Sequence, residues 1–579
     1  MSRSFFILGL ICLAGLALRL VLLPSVPHPG IADPNHYYQV GKSLVEGRGF
    51  MLDFLWQYNN PPADIVHEMD YWNPLAAVIT AFGFTVFGVN VAAGVLPFAI
   101  LGAFLPILAF FAGRQLKLDD ESALFAAACT AFLPELMLHS LRTETTIPAT
   151  VFVCGAILLI NAGVRSQKIG SWLLAGICAG LAYLVRSDAA LLLPMLVVTL
   201  GVYRIVDLTP QSPLHSDLTP QPPLHSDLTP QPPLLKERGS QIPLPMQWGG
   251  VRGGDAPMRW GSTLRRLFGV SSLKIFAYAL FSILIAGMVI TPWLLRNQQL
   301  FGTPTTPHLS NMFFLTHHDE HFAVDDVFTL ETLLANQSIG QLIGKRLFEL
   351  AAAFKVMVTS LDNFLPIAVW GGLLLLILRR EKDRLLVLAP TLILLFGLLV
   401  FYPVLVPMKA QGGSFKKAFL ALIPLLLPLA GYALEIAITD KRLRRGVMLL
   451  VVLMIAIFGI DAVRLDMQFV RDYMAYTENI LDTLEDLPDV TGDGTVRLMN
   501  QDPFMMSFYG VQSVMTPRDD REAVLTIARK YQIDYLLVPT ARPELDAVVW
   551  FQTETDSRFQ HVINVSRSNL QIYRFVFDS

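Results

Sequence analysis

The chain has 579 residues, 53% of them hydrophobic and only 16% charged, with a net charge of −3. A soluble domain carries roughly 25% charged residues; here the apolar residues gather in long runs between short polar connectors, which excludes a single soluble core and points to many membrane spans. The slightly negative balance excludes a nucleic-acid partner.

The first apolar run, near 5–24, is long for the core of a cleavable signal and long enough to span. It is expected to be a retained helix, with Arg19 snorkelling near its outer end. Ten further spans are expected near 91–113, 121–140, 146–163, 171–186, 188–203, 275–295, 363–378, 385–404, 417–437 and 446–464, eleven in all. Residues 1–464 therefore read as a mainly α, polytopic membrane domain. Cys12, Cys129, Cys154 and Cys178 all fall inside apolar runs and read as small buried hydrophobes rather than a disulfide or metal framework.

The connectors set the orientation. With the N-terminus inside, the inner loops carry Arg165 and Lys168, the run from Arg379 to Arg384, and Lys441, Arg442, Arg444 and Arg445. The first outer loop holds six acidic residues against Lys42 and Arg48. Positive-inside bias favours a cytoplasmic N-terminus in a plasma (inner) membrane, and an odd number of spans then leaves the C-terminal part extracytoplasmic.

Three connectors are long. The first outer loop, 25–90, contains WNPLAAVITAFGFTVFG, expected to be an interfacial helix lying against the membrane. The inner segment 207–262 carries LTPQSPLHSD, LTPQPPLHSD and LTPQPPLLKE at a ten-residue period; it is proline-dense, has no continuous apolar face, and is expected to be extended or disordered. The outer segment 297–362 is polar and loop-like. Within it, His317, His318, Asp319, Glu320 and His321 invite a metal reading, but consecutive loop residues rarely all reach one ion. From 465 to 579 the composition turns soluble. A helical stretch leads into strands TVRLMN, IDYLLVP and LQIYRFVF around a helix REAVLTIARKYQ, the alternation of a small α/β domain.

Charge at a membrane boundary is costly, so ionisable residues at span ends are the first candidates for chemistry. On the outer side these are Asp33 after the first span, Glu144 in HSLRTETT between the third and fourth, Arg296 ending the seventh, and Lys416 and Lys417 opening the tenth. A carboxylate that takes a proton from an acceptor hydroxyl or amine, with cations that stabilise a departing lipid phosphate, is the equipment for transfer from a polyprenyl-phosphate-linked sugar. Asp33 has a plainer reading too, since Asp-Pro commonly starts turns.

Asp33, a tyrosine pair and SLVEGRGF resemble the first outer loop of the GT-C glycosyltransferases. Within them the likeness is nearest to the dolichyl-phosphate-mannose protein mannosyltransferase-like and aminoarabinose-transferase-like group. DYWNPLAAVITAFGFTVFG, HSLRTETT, GLAYLVRSDAALLLP, ITPWLLRNQQLFG and KKAFLALIPLLLPLAG resemble later segments of that family in order. The resemblance implies a GT-C fold and transfer of a sugar from a polyprenyl-phosphate donor to a lipid, glycan or protein acceptor. It implies Asp33 as catalytic base and Glu144 as an acid that positions acceptor or metal. It also implies Arg296, Lys416 and Lys417 as donor-phosphate contacts, with Arg142 and Arg186 as accessory residues. Many members have a second acid beside the first, where this chain has Pro34; Glu68 and Asp70 are the acids available to replace it, although solvated loop charge is their simpler reading. No cofactor is required by the sequence, and a divalent cation at Asp33 and Glu144 is compatible with the resemblance. Two other readings stand beside it. A transporter or flippase of a lipid-linked glycan would place its ionisable groups near the bilayer midplane in related repeats, and a scaffold with a decayed site would use the proline tract for docking.

Overall fold

The computed structural model describes residues 3–208, 270–307, 311–324, 326–362, 364–406, 413–485, 487, 495–539, 556–566 and 568–577. Of the 207–262 insertion, all but its first two residues lie outside the described residues. A helix stands at each of the eleven expected spans. They are α1 (Arg3–Leu22), α4 (Val91–Gln115), the pair α5 (Asp120–Phe132) and α6 (Pro134–His139), α7 (Thr146–Ser166), α8 (Ile169–Val185) and α9 (Leu192–Leu208). The series continues with α10 (Val270–Phe301), α13 (Leu365–Leu378) and α14 (Lys382–Val400). It ends with the run α15 (Ser414–Leu420), α16 (Ile423–Leu426) and α17 (Pro428–Ala437), then α18 (Lys441–Glu485). Among the described residues seven helices are long and apolar enough to cross a membrane, and the run 414–437, bent by 45°, makes an eighth. α8 and α13 are shorter apolar helices.

Local chemistry explains the boundaries. Asn90 caps α4 by accepting from the Ala93 N–H at 2.9 Å, and Asp119 caps α5 by accepting from Ser122 N–H at 2.7 Å. The expected third span is broken because Leu133 precedes Pro134 and takes an extended ψ of 127°, the conformation a residue before proline prefers. Arg19 does not snorkel. It is fully buried, and its guanidinium donates to the Ala131 carbonyl (3.1 Å), the Gly15 carbonyl (3.0 Å) and Ser140 Oγ (2.8 Å). The break leaves Ala131 O without its helical donor, so an inward-pointing arginine finds the acceptors it would otherwise seek in the interface. Gly102 makes the space: a Cβ there would stand 2.6 Å from Ser140 Cβ and 3.1 Å from Arg19 Nε.

The first loop, part of segment 297–362 and the C-terminal part pack together in one core. α2 (Asp33–Val45) and α3 (Leu75–Phe87) follow α1. α3 leaves Phe82, Val86 and Phe87 exposed. Segment 297–362 is more ordered than expected: it contains α11 (Leu330–Asn336) and the 21-residue α12 (Ile339–Thr359), started by Thr329 and Ser338 capping boxes. The soluble part forms a six-stranded sheet in the order β2-β5-β4-β6-β8-β7, built from β4 (Leu498–Asn500), β5 (Ser513–Met515), β6 (Tyr535–Pro539), β7 (Phe559–Asn564), β8 (Leu570–Phe575) and, from the first loop, β2 (Phe54–Leu55). β2 pairs parallel with β5, Phe54 opposite Ser513. Helices α19 (Pro503–Phe508) and α20 (Arg521–Tyr531) complete this unit. The first loop and the C-terminal sheet thus share one core, in which Phe54, Leu55, Trp56, Val514 and Leu536 pack together. The sequence boundary at 464/465 falls inside the continuous helix α18.

Candidate functional site

α2 begins at Asp33 because Ala32, at φ +59°, reverses the chain just before it. A positive φ is strained for alanine and is found where structure around it enforces it. The turn places the Asp33 carboxylate at the positive end of a helix. α2 is held from the other side by the C-terminal unit: Asn35 donates to the Phe504 carbonyl, and Gln39 to the Ser507 carbonyl at 3.1 Å.

Glu144 arrives from the turn between α6 and α7. Thr143 locks that turn to the first loop, its N–H donating to the Pro29 carbonyl (3.2 Å) and its hydroxyl to the Pro34 carbonyl (2.5 Å). Lys417, on α15, then lies between the two acids, its Nζ 2.9 Å from Asp33 Oδ2 and 2.9 Å from Glu144 Oε2. Glu144 is 1% exposed and is also paired with His139 Nδ1. Burial alone would raise its pKa, but the charges of His139 and Lys417, with Arg142 behind them, hold the carboxyl well below its ordinary range. The network runs on: His139 Nε2 is 3.5 Å from Glu135, whose other oxygen is 2.7 Å from Lys416 Nζ.

Beside Asp33 opens a cavity of about 100 Å³ lined by Tyr37, Tyr71, Trp72 and Asn73 on one side, and by Thr145, Arg186, Asp188, Tyr402 and Ser414 on the other. Arg186, at the end of α8, pairs with Asp188 (2.8 Å) and donates to Tyr402 Oη (3.0 Å) and the Ser414 carbonyl (3.1 Å). Tyr402 sits in a π-helical turn, Phe401–Leu405, that ends α14, a local distortion common at functional sites.

The predicted residues divide by place. Asp33, Glu144 and Lys417 meet directly, Arg186 shares Asp33's cavity, and Lys416 joins through Glu135. Arg142 pairs with Asp466 on α18. Arg296 goes elsewhere: it bonds Glu68 (2.5 Å) and the Met69 carbonyl (2.8 Å), with its guanidinium 4.6 Å from the Trp293 ring and 5.3 Å from Phe301. Asp70 is buried, accepting from Gln57 at 3.2 Å, so neither Glu68 nor Asp70 lines the cavity. Sequence reading missed Glu135, His139, Asp188 and Tyr402. Glu135 and His139 did carry a signal, an i, i+4 acid–histidine pair whose histidine opens HSLRTETT; Tyr402 had none, because it lies 369 positions from Asp33 in an apolar run.

A divalent cation does not fit at Asp33 and Glu144 as they stand. The Lys417 ammonium already lies at 2.9 Å from both carboxylates, so the bridging position is filled. Among the described residues no group of three His, Cys, Asp or Glu side chains is placed to hold a metal. In the histidine-rich segment, His321 is instead buried beside Trp56, and Asn59 Nδ2 lies 3.1 Å from its Nδ1.

Residues 72–209, which include Glu144, Arg186 and Asp188, match the family described as dolichyl-phosphate-mannose-protein mannosyltransferase. The fold is that of the GT-C membrane enzymes. The oligosaccharyltransferase of Archaeoglobus fulgidus, in complex with Zn and sulfate, superposes with a TM-score of 0.53 at 12% identity, over 92% of this chain and 67% of that one. ArnT from Cupriavidus metallidurans superposes with a TM-score of 0.48, with 97% of both chains covered, at 13% identity in its apo state and 11% bound to undecaprenyl phosphate. No curated protein sequence matches the chain.

Proposed function

We propose that this multi-pass membrane protein transfers a sugar from a polyprenyl-phosphate-linked donor to a lipid, glycan or protein acceptor, on the extracytoplasmic face of the plasma membrane. The single observation that carries the reading is that Asp33 and Arg186 face one cavity, with Lys417 holding Asp33 from behind. The family match supports a polyprenyl-phosphate sugar as donor.

In the reaction, the acceptor oxygen forms a bond to the anomeric carbon as the bond from that carbon to the phosphate oxygen breaks. The acceptor proton passes to Asp33, and the electron pair leaves with the lipid phosphate. Arg186 is the cation placed to meet that phosphate, taking the role expected of Arg296; its planar fork suits phosphate oxygens. Lys417 keeps Asp33 oriented, with Glu144 holding the same ammonium from its other side. Tyr71 and Trp72 offer aromatic faces across the cavity, as sugar-handling sites often do. A transporter is supported less well, because these charged groups gather at one face of the bundle rather than at its middle.

The test is turnover of a polyprenyl-phosphate sugar by purified protein in nanodiscs. Asp33→Asn should insert and fold normally yet lose transfer. Wild-type turnover by that variant, or substrate-dependent flux across proteoliposomes with no product formed, would end this reading.

A further inference from the structure

We propose that Tyr37 is a further phosphate-binding residue of the cavity: its hydroxyl, together with that of Thr145, donates to the phosphate of the lipid-linked donor beside Arg186. One cation and two neutral donors then hold the group that leaves. This role deepens the function proposed above and presupposes its polyprenyl-phosphate ligand.

Tyr37 stands one turn after Asp33 on α2, so the two share a face of that helix. Asn35 and Gln39, on the opposite face, bind the C-terminal unit and so turn Asp33 and Tyr37 toward the cavity that both line. The adjacent Tyr38 packs on Phe84 and Phe508 instead. Other tyrosines of the cavity are engaged. Tyr402 Oη donates to Asp188 Oδ2 at 2.5 Å and accepts from Arg186, and Tyr71 Oη lies 3.4 Å from His321 Nε2. Tyr37 is 1% exposed, yet among the described residues its hydroxyl has no hydrogen-bond partner. A buried donor without a partner is costly and marks a place for a ligand atom.

The surroundings say which atom. Arg186 spends Nε and Nη2 on Asp188, while among the described residues Nη1 makes a single long contact, 3.4 Å, with Thr145 Oγ1. Thr145 opens the 21-residue α7 without capping it and lines the same cavity. Its hydroxyl therefore stands at the positive end of a helix, where anions are favoured. Burial pushes the Tyr37 pKa well above its ordinary value, with Asp33 adding to the effect, so the group meets a ligand as a neutral donor. Beside a guanidinium arm, a neutral donor binds the same anion without the repulsion that a second cation would bring. A phosphate oxygen is the ligand atom that uses all three groups.

Native mass spectrometry of full-length protein, titrated with undecaprenyl phosphate and separately with undecaprenol, tests this. Wild type should prefer the phosphate. Tyr37→Phe should weaken undecaprenyl phosphate by about 10- to 100-fold, the loss of one hydrogen bond to a charged group, and leave undecaprenol within about threefold. Thr145→Val should give a smaller loss of the same kind. Equal weakening of both lipids would show a purely structural role and overturn the proposal. So would Tyr37→Phe, or Tyr37→Met in its place, binding undecaprenyl phosphate as wild type does, the result expected if the hydroxyl meets the sugar instead. Wild type holding the two lipids equally would overturn it as well. An active Asp33→Asn would end the transferase reading without altering any of these affinities.

Discussion

Two ion pairs at the same boundary of the molecule, Lys417 with Asp33 and Arg296 with Glu68, look equivalent on paper: each joins a basic residue at a span end to an acid of the first loop. The structure gives them opposite surroundings. Lys417 holds an acid that opens onto a cavity and touches a second acid behind it. Arg296 is closed in by Trp293, Phe50 and Phe301 and by a backbone carbonyl, so its charge is spent on holding the β3 strand (His67–Glu68) against α10. Residue type and membrane depth do not distinguish a site cation from a structural one; the neighbouring empty space does.

The sharpest break in this comparison should come from Asp33→Asn, which removes the proton acceptor and is expected to cut kcat by about 100- to 10,000-fold, measured as product per minute. Next, Arg186→Gln should lower kcat/KM by about 10- to 100-fold, the effect of losing one charge-assisted contact, and Arg186→Lys should restore only part of it because the fork geometry is lost. Arg296→Gln should leave turnover within about threefold while lowering stability by about 1 kcal/mol, the scale of a half-exposed ion pair with ring stacking, read as a fall in Tm. A loss of turnover there as large as that of Arg186→Gln would erase the distinction between the two pairs.

The smallest effect is one of pH, on the loop that carries Asp33. His28 and His36 are buried, and burial lowers each pKa from 6.5 to about 3. Each is therefore neutral when folded and protonated more readily when unfolded, so its contribution is complete above pH 6.5 and is lost as pH falls from there toward 3. The slope is about 1.4 kcal/mol per pH unit per histidine, against which Asp33 and Asp70 are the carboxylates that act on His36, with the His67 ring opposing them. Thermal inactivation should accelerate below pH 6.5 in wild type and less in His36→Gln; equal acid sensitivity in the two would remove His36 from the account.

Much of the chain was legible without coordinates. Hydropathic runs mark helices because the cost of unsatisfied backbone in lipid leaves few alternatives, which is why all eleven expected spans meet helices; in the C-terminal sheet β4, β6 and β8 stand where alternation placed them, whereas β2, β5 and β7 were not foreseen. Asp33 and Glu144 stood out because charge beside a membrane is rare. What the residues could not tell was direction. Neighbours 416 and 417 point about 100° apart on a helix, so one reaches Asp33 and the other Glu135; nothing local chooses between them. Arg19 turned inward only because Pro134 broke a helix more than a hundred positions away. Arg186 entered the cavity, and Phe54 joined a sheet whose other strands come from 498 onward. Helix formation is decided over a few turns of chain by periodicity and solvent, whereas ion pairing between distant segments is decided by packing, and only the folded arrangement contains that information.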